Sequence, residues 1–268
     1  VKGDTLIFFD EIQECPSART AIKFLVDDGQ FDYIESGSLL GVRYKEVKSY
    51  PVGYEENYRM YPLDFEEFAT ANGIQPQTIE YLKKCYDNKE TVTEAVHQSM
   101  LKLFQYYIIV GGMPAVVQKF VDTKDIGEVL KIQKDILDLY RQDISKYSDN
   151  NKEKIKSIFD LIPAQLNDRN RRFTLSDAGV ALPCYNITEP VLPLELNLQN
   201  NLFKLFLCDT GLLCAASMGN IQFDILSGDL SVNMGSILEN VFAQELISNG
   251  FLLRYFNKKN IGEIDFIV

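Results

Sequence analysis

The chain has 268 residues, 46% of them hydrophobic and 24% charged, and its formal net charge is −11. This composition is ordinary for a soluble globular protein, and the length is sufficient for about two domains of roughly 150 residues each. No apolar run approaches the roughly 20 residues that a membrane-spanning helix needs, so we expect no membrane span. The acidic balance argues against nucleic-acid binding over the whole surface, although it leaves room for a local basic patch.

Five cysteines, an odd number, occur without C-x-x-C spacing. We therefore expect neither structural disulfides nor a zinc site, and we predict a reducing, cytoplasmic location. The sole histidine, His97, lies in a stretch with helical spacing and has no evident catalytic partner. We interpret it as a surface or core residue.

A run without charged residues, at positions 5–9, leads directly into Asp10 and Glu11. Such a run predicts a strand covered on both faces, as in parallel sheets, whose ligands bind where the strands end. Adjacent carboxylates there point to opposite sides of the strand. This arrangement is typical of the Walker B pair of P-loop ATPases, in which Asp10 would hold Mg²⁺, directly or through water, and Glu11 would be the base or position the water. Alternatively, both acids are merely solvated at the end of a strand.

A helix is predicted to follow, because Pro16 is a start signal and apolar residues recur at helical spacing up to Val26. Residues 31–34 predict a second strand, and this order of elements suits two parallel neighbours that end at the same edge of a sheet. Ser36 and Ser38 then occupy the sensor 1 position of AAA ATPases, a polar residue that senses the γ-phosphate or orients water. For either serine, a simple Ser-Gly-Ser turn is an equally good interpretation.

The middle of the chain predicts an all-helical lid. Asp64 and Glu67 have the spacing of a capping box at the start of a helix. Residues 74–109 are predicted to be helical, and the glycines and proline of residues 111–114 end that region. Residues 126–147 then predict one long amphipathic helix.

The C-terminal half mixes both kinds of element. Residues 148–151 are the best linker candidate, and residues 152–166 predict a helix. The basic cluster at residues 169–172 could contact a phosphate backbone, although a solvated turn is the commoner role of such a short cluster. A helix followed by a strand pair is compatible with a winged helix. Strands are predicted at residues 180–187, 191–194 and 203–208 and, after a helix at 235–247, at residues 252–256 and 263–268, the last two in another sheet.

Several short sequence segments together resemble one family, the prokaryotic AAA-type ATPases that carry a C-terminal domain of unknown function. The resemblance extends over essentially the whole chain and implies an α/β fold class. It implies a partial parallel-sheet P-loop ATPase core at residues 1–73, a helical lid region at 74–148, a winged-helix-like region at 149–217 and the start of a nuclease-like α/β domain at 218–268. The segments that carry the resemblance are residues 6–14, 36–41, 51–53, 60–68, 111–114 and 203–213.

The same resemblance implies roles for individual residues. Asp10 and Glu11 match the Walker B pair, and Ser38 best matches the polar sensor, with ATP and Mg²⁺ as cofactors. Glu239 and Asp265 match the helix glutamate and strand aspartate of a restriction-endonuclease-like site, which would bind a divalent metal. The implied partners are ATP, DNA through the winged-helix region, and further copies of the chain. Candidates for an arginine finger are Arg43, Arg59 and Arg141.

The chain departs from the family in three places. No G-x-x-x-x-G-K-[ST] motif occurs, and because the family has that loop upstream of Asp10, we expect this sequence to be a fragment that lacks it. The acidic-x-Lys element of the nuclease-like site would follow Asp265, beyond Val268. The passage at residues 172–179 is compressed relative to the family, which predicts a break near Thr174.

The sequence thus predicts an ATP-binding protein that hydrolyses ATP with Mg²⁺ and couples its nucleotide state to C-terminal modules that bind DNA or a partner. Two alternatives remain open. One is a DNA-binding protein with a nuclease-like tail and a vestigial ATPase. The other is a catalytically inactive interaction scaffold.

Overall fold

The computed structural model describes residues 4–37, 53–147, 159–160, 180–217, 221–227 and 234–268. The chain folds as two compact units, residues 1–60 with 176–179 and residues 61–175 with 180–268. We refer to them as the N-terminal unit and the C-terminal unit. The predictions for Ser38, Arg43, the basic cluster at 169–172, the break near Thr174 and most of the helix at 152–166 lie outside the described residues.

The N-terminal unit contains a strand, a helix and a second strand, as predicted. Strand β1 (Leu6–Phe9) leads through a 3-10 turn (Ile12–Glu14) into helix α1 (Pro16–Asp28), and strand β2 (Asp32–Glu35) follows. The two strands pair in parallel. Proline occupies the first position of α1, and Gly29, with a φ of 61°, ends it in the left-handed conformation that glycine adopts without steric cost.

The prediction that β1 is covered on both faces is wrong. Leu6 and Phe8 are 58% and 57% exposed, and Ile34 on β2 is 48% exposed, whereas the residues that alternate with them are half-buried. Successive side chains of a strand point to opposite faces, so one face of this sheet is open. Within the described residues the sheet has two strands and one crossover helix, which is too little structure to cover both faces.

The first half of the C-terminal unit is helical, which confirms the predicted helices, whereas their role as a lid stays a prediction. The capping box is present, since Asp64 Oδ1 accepts the amide of Glu67 at 2.8 Å and Glu67 Oε2 accepts that of Asp64 at 3.1 Å. Phe68, Tyr107 and Phe120 form the aromatic centre of the core. The helices are α2 (Phe65–Ala71), α3 (Pro76–Asn88), α4 (Glu94–Val110), α5 (Pro114–Thr123) and α6 (Ile126–Tyr147).

The second half of the C-terminal unit builds a four-stranded sheet with the order β4-β3-β5-β6. Strand β3 pairs antiparallel with β4 and parallel with β5, and β5 pairs antiparallel with β6. The elements are β3 (Ala181–Ile187), β4 (Leu198–Leu207), α7 (Thr210–Ala216), α8 (Ile221–Ser227), α9 (Met234–Ser248), β5 (Arg254–Lys258) and β6 (Gly262–Ile264). No helix in these described ranges is both long and apolar enough to cross a membrane.

Two strand predictions fail in this region. Residues 191–194 form no strand, because Pro193 interrupts them and a 3-10 turn (Leu194–Asn197) begins directly after it. Proline also lacks the amide that a strand ladder requires. The last two strands do not form another sheet, since β5 pairs with β3. Pairing between strands distant in sequence leaves no local signal, which is why the sequence missed it. The four-part division of the chain stays a prediction.

A buried polar network joins three helices of the C-terminal unit. Asp209 caps the start of α7 and accepts the amides of Leu212 at 2.8 Å and Gly112 at 2.5 Å. A Cβ atom added at Gly112 would collide with the backbone of Leu63, so only glycine fits there. At the other end of the network, Tyr107 donates its hydroxyl to Glu245 at 2.7 Å.

Candidate functional site

The first candidate site lies where β1 and β2 end. The parallel register pairs Phe9 with Glu35, so the residues that follow, Asp10 and Ser36, leave neighbouring strands at the same edge of the sheet. Ser36 Oγ donates a hydrogen bond of 2.5 Å to Asp10 Oδ1. The sequence predicted that Asp10 and the serines would meet at this edge, and the structure brings Ser36 to it.

Glu11 has an unusual backbone. Its φ of 50° and ψ of 46° place it in the left-handed region, which costs a residue with a side chain about 1–2 kcal/mol. The argument that neighbouring carboxylates of an extended strand point to opposite sides therefore does not apply at Glu11. Both Asp10 and Glu11 are exposed to solvent. Among the described residues, Asp10 Oδ2 makes no hydrogen bond, so this oxygen is open to a cation.

An ion-pair cluster lies behind this edge. Arg19 on α1 is only 4% exposed, and it pairs with Glu35 Oε2 at 2.6 Å and with Glu55. Burial raises the pKa of Glu35, Arg19 opposes the shift, and Glu55 adds to it. Sequence reasoning missed this cluster because its three members are far apart in the chain. Its consequence is that the end of β2 is anchored to α1.

The described arginine-finger candidates differ in their partners. Arg59 is exposed. Arg141 donates to Asp138 at 2.7 Å and to Asp160 at 2.9 Å. The hydrogen bond to Asp160 is the main reason that the pKa of Arg141 is raised, although partial burial opposes it. Arg141 is therefore already held by two carboxylates.

A second cluster surrounds Lys204 on β4. Its Nζ lies 3.4 Å from Glu239 Oε2 on α9, 3.1 Å from Glu263 Oε1 on β6 and 2.9 Å from Asp265 Oδ1. The structure thus brings Glu239 and Asp265, both predicted site residues, to one ammonium group. Sequence reasoning missed Lys204, which carries no local signal. Glu263 was open to prediction, because residues two apart on a strand share a face.

The charges around Lys204 are unbalanced, with three carboxylates against one ammonium group. Partial burial lowers the pKa of Lys204, but the hydrogen bonds to Asp265 and Glu263 and the charge of Glu239 raise it more. Burial raises the pKa of Glu239, and Lys204 opposes that shift. Over the described ranges, no group of three or more His, Cys, Asp or Glu residues could hold a metal ion. At this site the lysine supplies the positive charge.

Two family models match parts of the chain. Residues 1–69 match the model of an AAA domain, and residues 101–183 match a domain of unknown function, DUF8612. Comparison with curated proteins and with solved structures gives no match. The N-terminal part of the chain, which includes Asp10, Glu11 and Ser36, is therefore similar to AAA-type ATPases, as the sequence predicted. The nuclease-like region predicted at residues 218–268 lies outside both matches.

Proposed function

We propose that the N-terminal unit carries the hydrolytic part of an AAA-type ATP site, in which Asp10 holds Mg²⁺ and Glu11 acts on the attacking water. The observation that carries this proposal is the hydrogen bond between Ser36 and Asp10. It joins polar side chains from the ends of two neighbouring parallel strands, which is where ligands of α/β sheets bind. The match of residues 1–69 to an AAA domain supports the same function.

The residues at this edge fit a magnesium ion. Mg²⁺ is bound through one or two carboxylates and keeps several waters, and Asp10 offers an exposed carboxylate, directly or through water. When bound, Mg²⁺ would neutralise charge that develops on the transferred phosphoryl group. The sequence has no G-x-x-x-x-G-K-[ST] motif, so we assign the cradling of the phosphates to none of these residues.

Glu11 would orient or deprotonate the attacking water. It directly follows the proposed metal ligand, and it is an exposed residue. Its left-handed backbone is a strained conformation of the kind that proteins retain at functional sites. Strain alone does not establish a role, so the proposal depends on the chemistry of the carboxylate.

Replacement of Glu11 by glutamine in the full-length protein tests this role. We expect Glu11→Gln to reduce ATP turnover at least 100-fold and to leave ATP binding intact, because general acid–base groups contribute about 10²–10⁴-fold. Glu14→Gln, a change of the same kind at an exposed position of the same turn, should keep parental turnover. Turnover by Glu11→Gln equal to that of the parent protein would remove Glu11 from the mechanism.

Arg59 is the described residue that best fits an arginine finger. It is exposed, whereas Arg141 is occupied by Asp138 and Asp160. Because such a finger can come from a neighbouring copy, we propose that the protein forms a homo-oligomer. We also propose that it is cytoplasmic and that it couples ATP hydrolysis to its C-terminal modules. Arg59→Ala should then reduce ATP turnover. A mixture of the Arg59→Ala and Glu11→Gln proteins should recover part of that turnover, because an interface between the two variants can combine an intact Glu11 with an intact Arg59. No recovery in mixtures would speak against a finger supplied by a neighbour.

A second candidate function is DNA binding with a nuclease-like tail. It is favoured by the meeting of Glu239 and Asp265 at Lys204, which brings both implied metal ligands into one cluster. A metal-dependent site would need Mg²⁺ to join or replace the lysine there. Mobility shift across a salt series tests the DNA contact, because phosphate contacts weaken steeply with salt. Binding that does not change with salt would exclude them, and an inactive scaffold would show neither ATP turnover nor DNA binding.

A further inference from the structure

Three hydrogen bonds tie Ser36 to the residues around Asp10. The Ser36 amide donates to the carbonyl of Phe9 at 2.8 Å, and the amide of Ile12 donates to the carbonyl of Ser36 at 3.0 Å. The Ser36 hydroxyl donates to Asp10 Oδ1 at 2.5 Å. The backbone is therefore held on both sides of Asp10, and the side chain is held as well.

A hydroxyl donor suits a carboxylate that must hold a cation. It restricts rotation of the exposed Asp10 side chain by engaging one oxygen, Oδ1, and it leaves Oδ2 without a hydrogen bond from the described residues. Unlike a lysine or an arginine, a hydroxyl does not cancel the negative charge. The Lys204 cluster is the opposite case within this chain, since an ammonium group there offsets part of the carboxylates' negative charge.

The serine is itself anchored from behind. Glu35 directly precedes Ser36 and pairs with the buried guanidinium of Arg19 at 2.6 Å. A buried pair that is also hydrogen-bonded resists movement, because separating it leaves a charge without a partner. Arg19 therefore fixes Glu35, this fixes the adjacent Ser36, and Ser36 in turn holds Asp10.

We propose that Ser36 is a positioning residue for Asp10, which orients the metal-holding carboxylate by donating to Oδ1. The inference rests on the proposed ATPase function and adds a residue to it. The sequence placed both Ser36 and Ser38 at the position of a sensor of phosphate or water, and the resemblance matched Ser38 best to that role. The role of Ser36 is different, because it acts on the metal ligand.

The test compares Ser36→Ala, Ser36→Thr and the parent protein in full length. Loss of the hydroxyl should raise the Mg²⁺ concentration that gives half-maximal ATP turnover about tenfold, since one hydrogen bond to a charged group is removed. Threonine keeps the hydroxyl and should restore most of the Mg²⁺ dependence. Ser17→Ala, a serine at the start of α1, is the matched control and should behave like the parent protein.

A double-mutant cycle, measured by ATP binding, distinguishes a positioning role of Ser36 from poor folding of the variants. Mg²⁺-dependent ATP binding is measured for Asp10→Asn, Ser36→Ala and the double variant. If Ser36 acts through Asp10, the serine change should cost nothing further once Asp10 is replaced. Additive losses, or a Ser36→Ala protein with the Mg²⁺ dependence of the parent, would overturn the positioning role alone. A parent protein that neither binds nor hydrolyses ATP would overturn the proposed function and this inference together.

Discussion

Two aspartates of this chain closely follow strands and precede helical turns, yet their surroundings differ completely. Asp10 follows β1 and is exposed, with one hydrogen bond, from Ser36. Asp209 follows β4 and is 0% exposed, and backbone amides of Gly112 and Leu212 occupy both of its oxygens. Asp10 has an oxygen open to a ligand, whereas Asp209 is satisfied by the protein itself.

This difference shows that a strand ending in an aspartate is not by itself a functional signal. Burial raises the pKa of Asp209 to about 6, although the surrounding backbone amides oppose the shift. The helix start that it caps and the glycine turn after α4 depend on it. We therefore interpret Asp209 as structural, and the following changes test the contrast from the largest expected effect to the smallest.

Gly112→Ala should have the largest effect on stability. The added Cβ would collide with the backbone of Leu63, which cannot move aside as a flexible side chain would. We expect the free energy of unfolding to fall by about 3 kcal/mol or more, measured by urea denaturation of the C-terminal unit's transition. Gly127→Ala is the control, because its Cβ meets only the end of the Asp125 side chain, and it should change stability by less than about 1 kcal/mol. Equal effects would contradict the close approach.

The contribution of Asp209 to stability should depend on pH and should be measurable by comparison with a variant that lacks its ionisable group. The folded-state pKa of Asp209, about 6, lies above its ordinary value of 3.8. Its stabilising contribution is therefore fully present below pH 3.8 and is lost as the pH rises through about 6. We expect the parent protein to lose roughly 3 kcal/mol relative to Asp209→Asn over this window. Urea unfolding at several pH values measures this difference in the free energy of unfolding. If the free energies of the two proteins change in parallel with pH, the raised pKa of Asp209 is contradicted.

Replacing two left-handed residues by glycine should have the smallest effect on stability. Glu11 and Lys89 have φ values of 50° and 58°. Glycine adopts this conformation freely, so each change should add up to about 1 kcal/mol to stability, seen by thermal unfolding. Glu11→Gly should also abolish ATP turnover, whereas Lys89→Gly should keep it. Retained turnover in Glu11→Gly would mean that hydrolysis does not need the Glu11 carboxylate.

Local signals carried most of the fold prediction. Pro16, the capping box of Asp64 and Glu67, and the apolar period of α6 act over a few residues, so the sequence alone located these helices. The strand–helix–strand order of the N-terminal unit was readable for the same reason, and it determined that Asp10 and Glu11 stand at the end of a strand.

Long-range pairing was decided only by the tertiary structure. The hydrogen bond between Ser36 and Asp10 joins residues 26 positions apart, and the contact between Lys204 and Asp265 spans 61 positions. The same holds for the burial of Asp209, whose partner Gly112 lies 97 positions away. No local preference of the chain encodes such contacts. They depend on which strands pair and which helices pack, and these determine whether a carboxylate is left open to a ligand or is enclosed in the core.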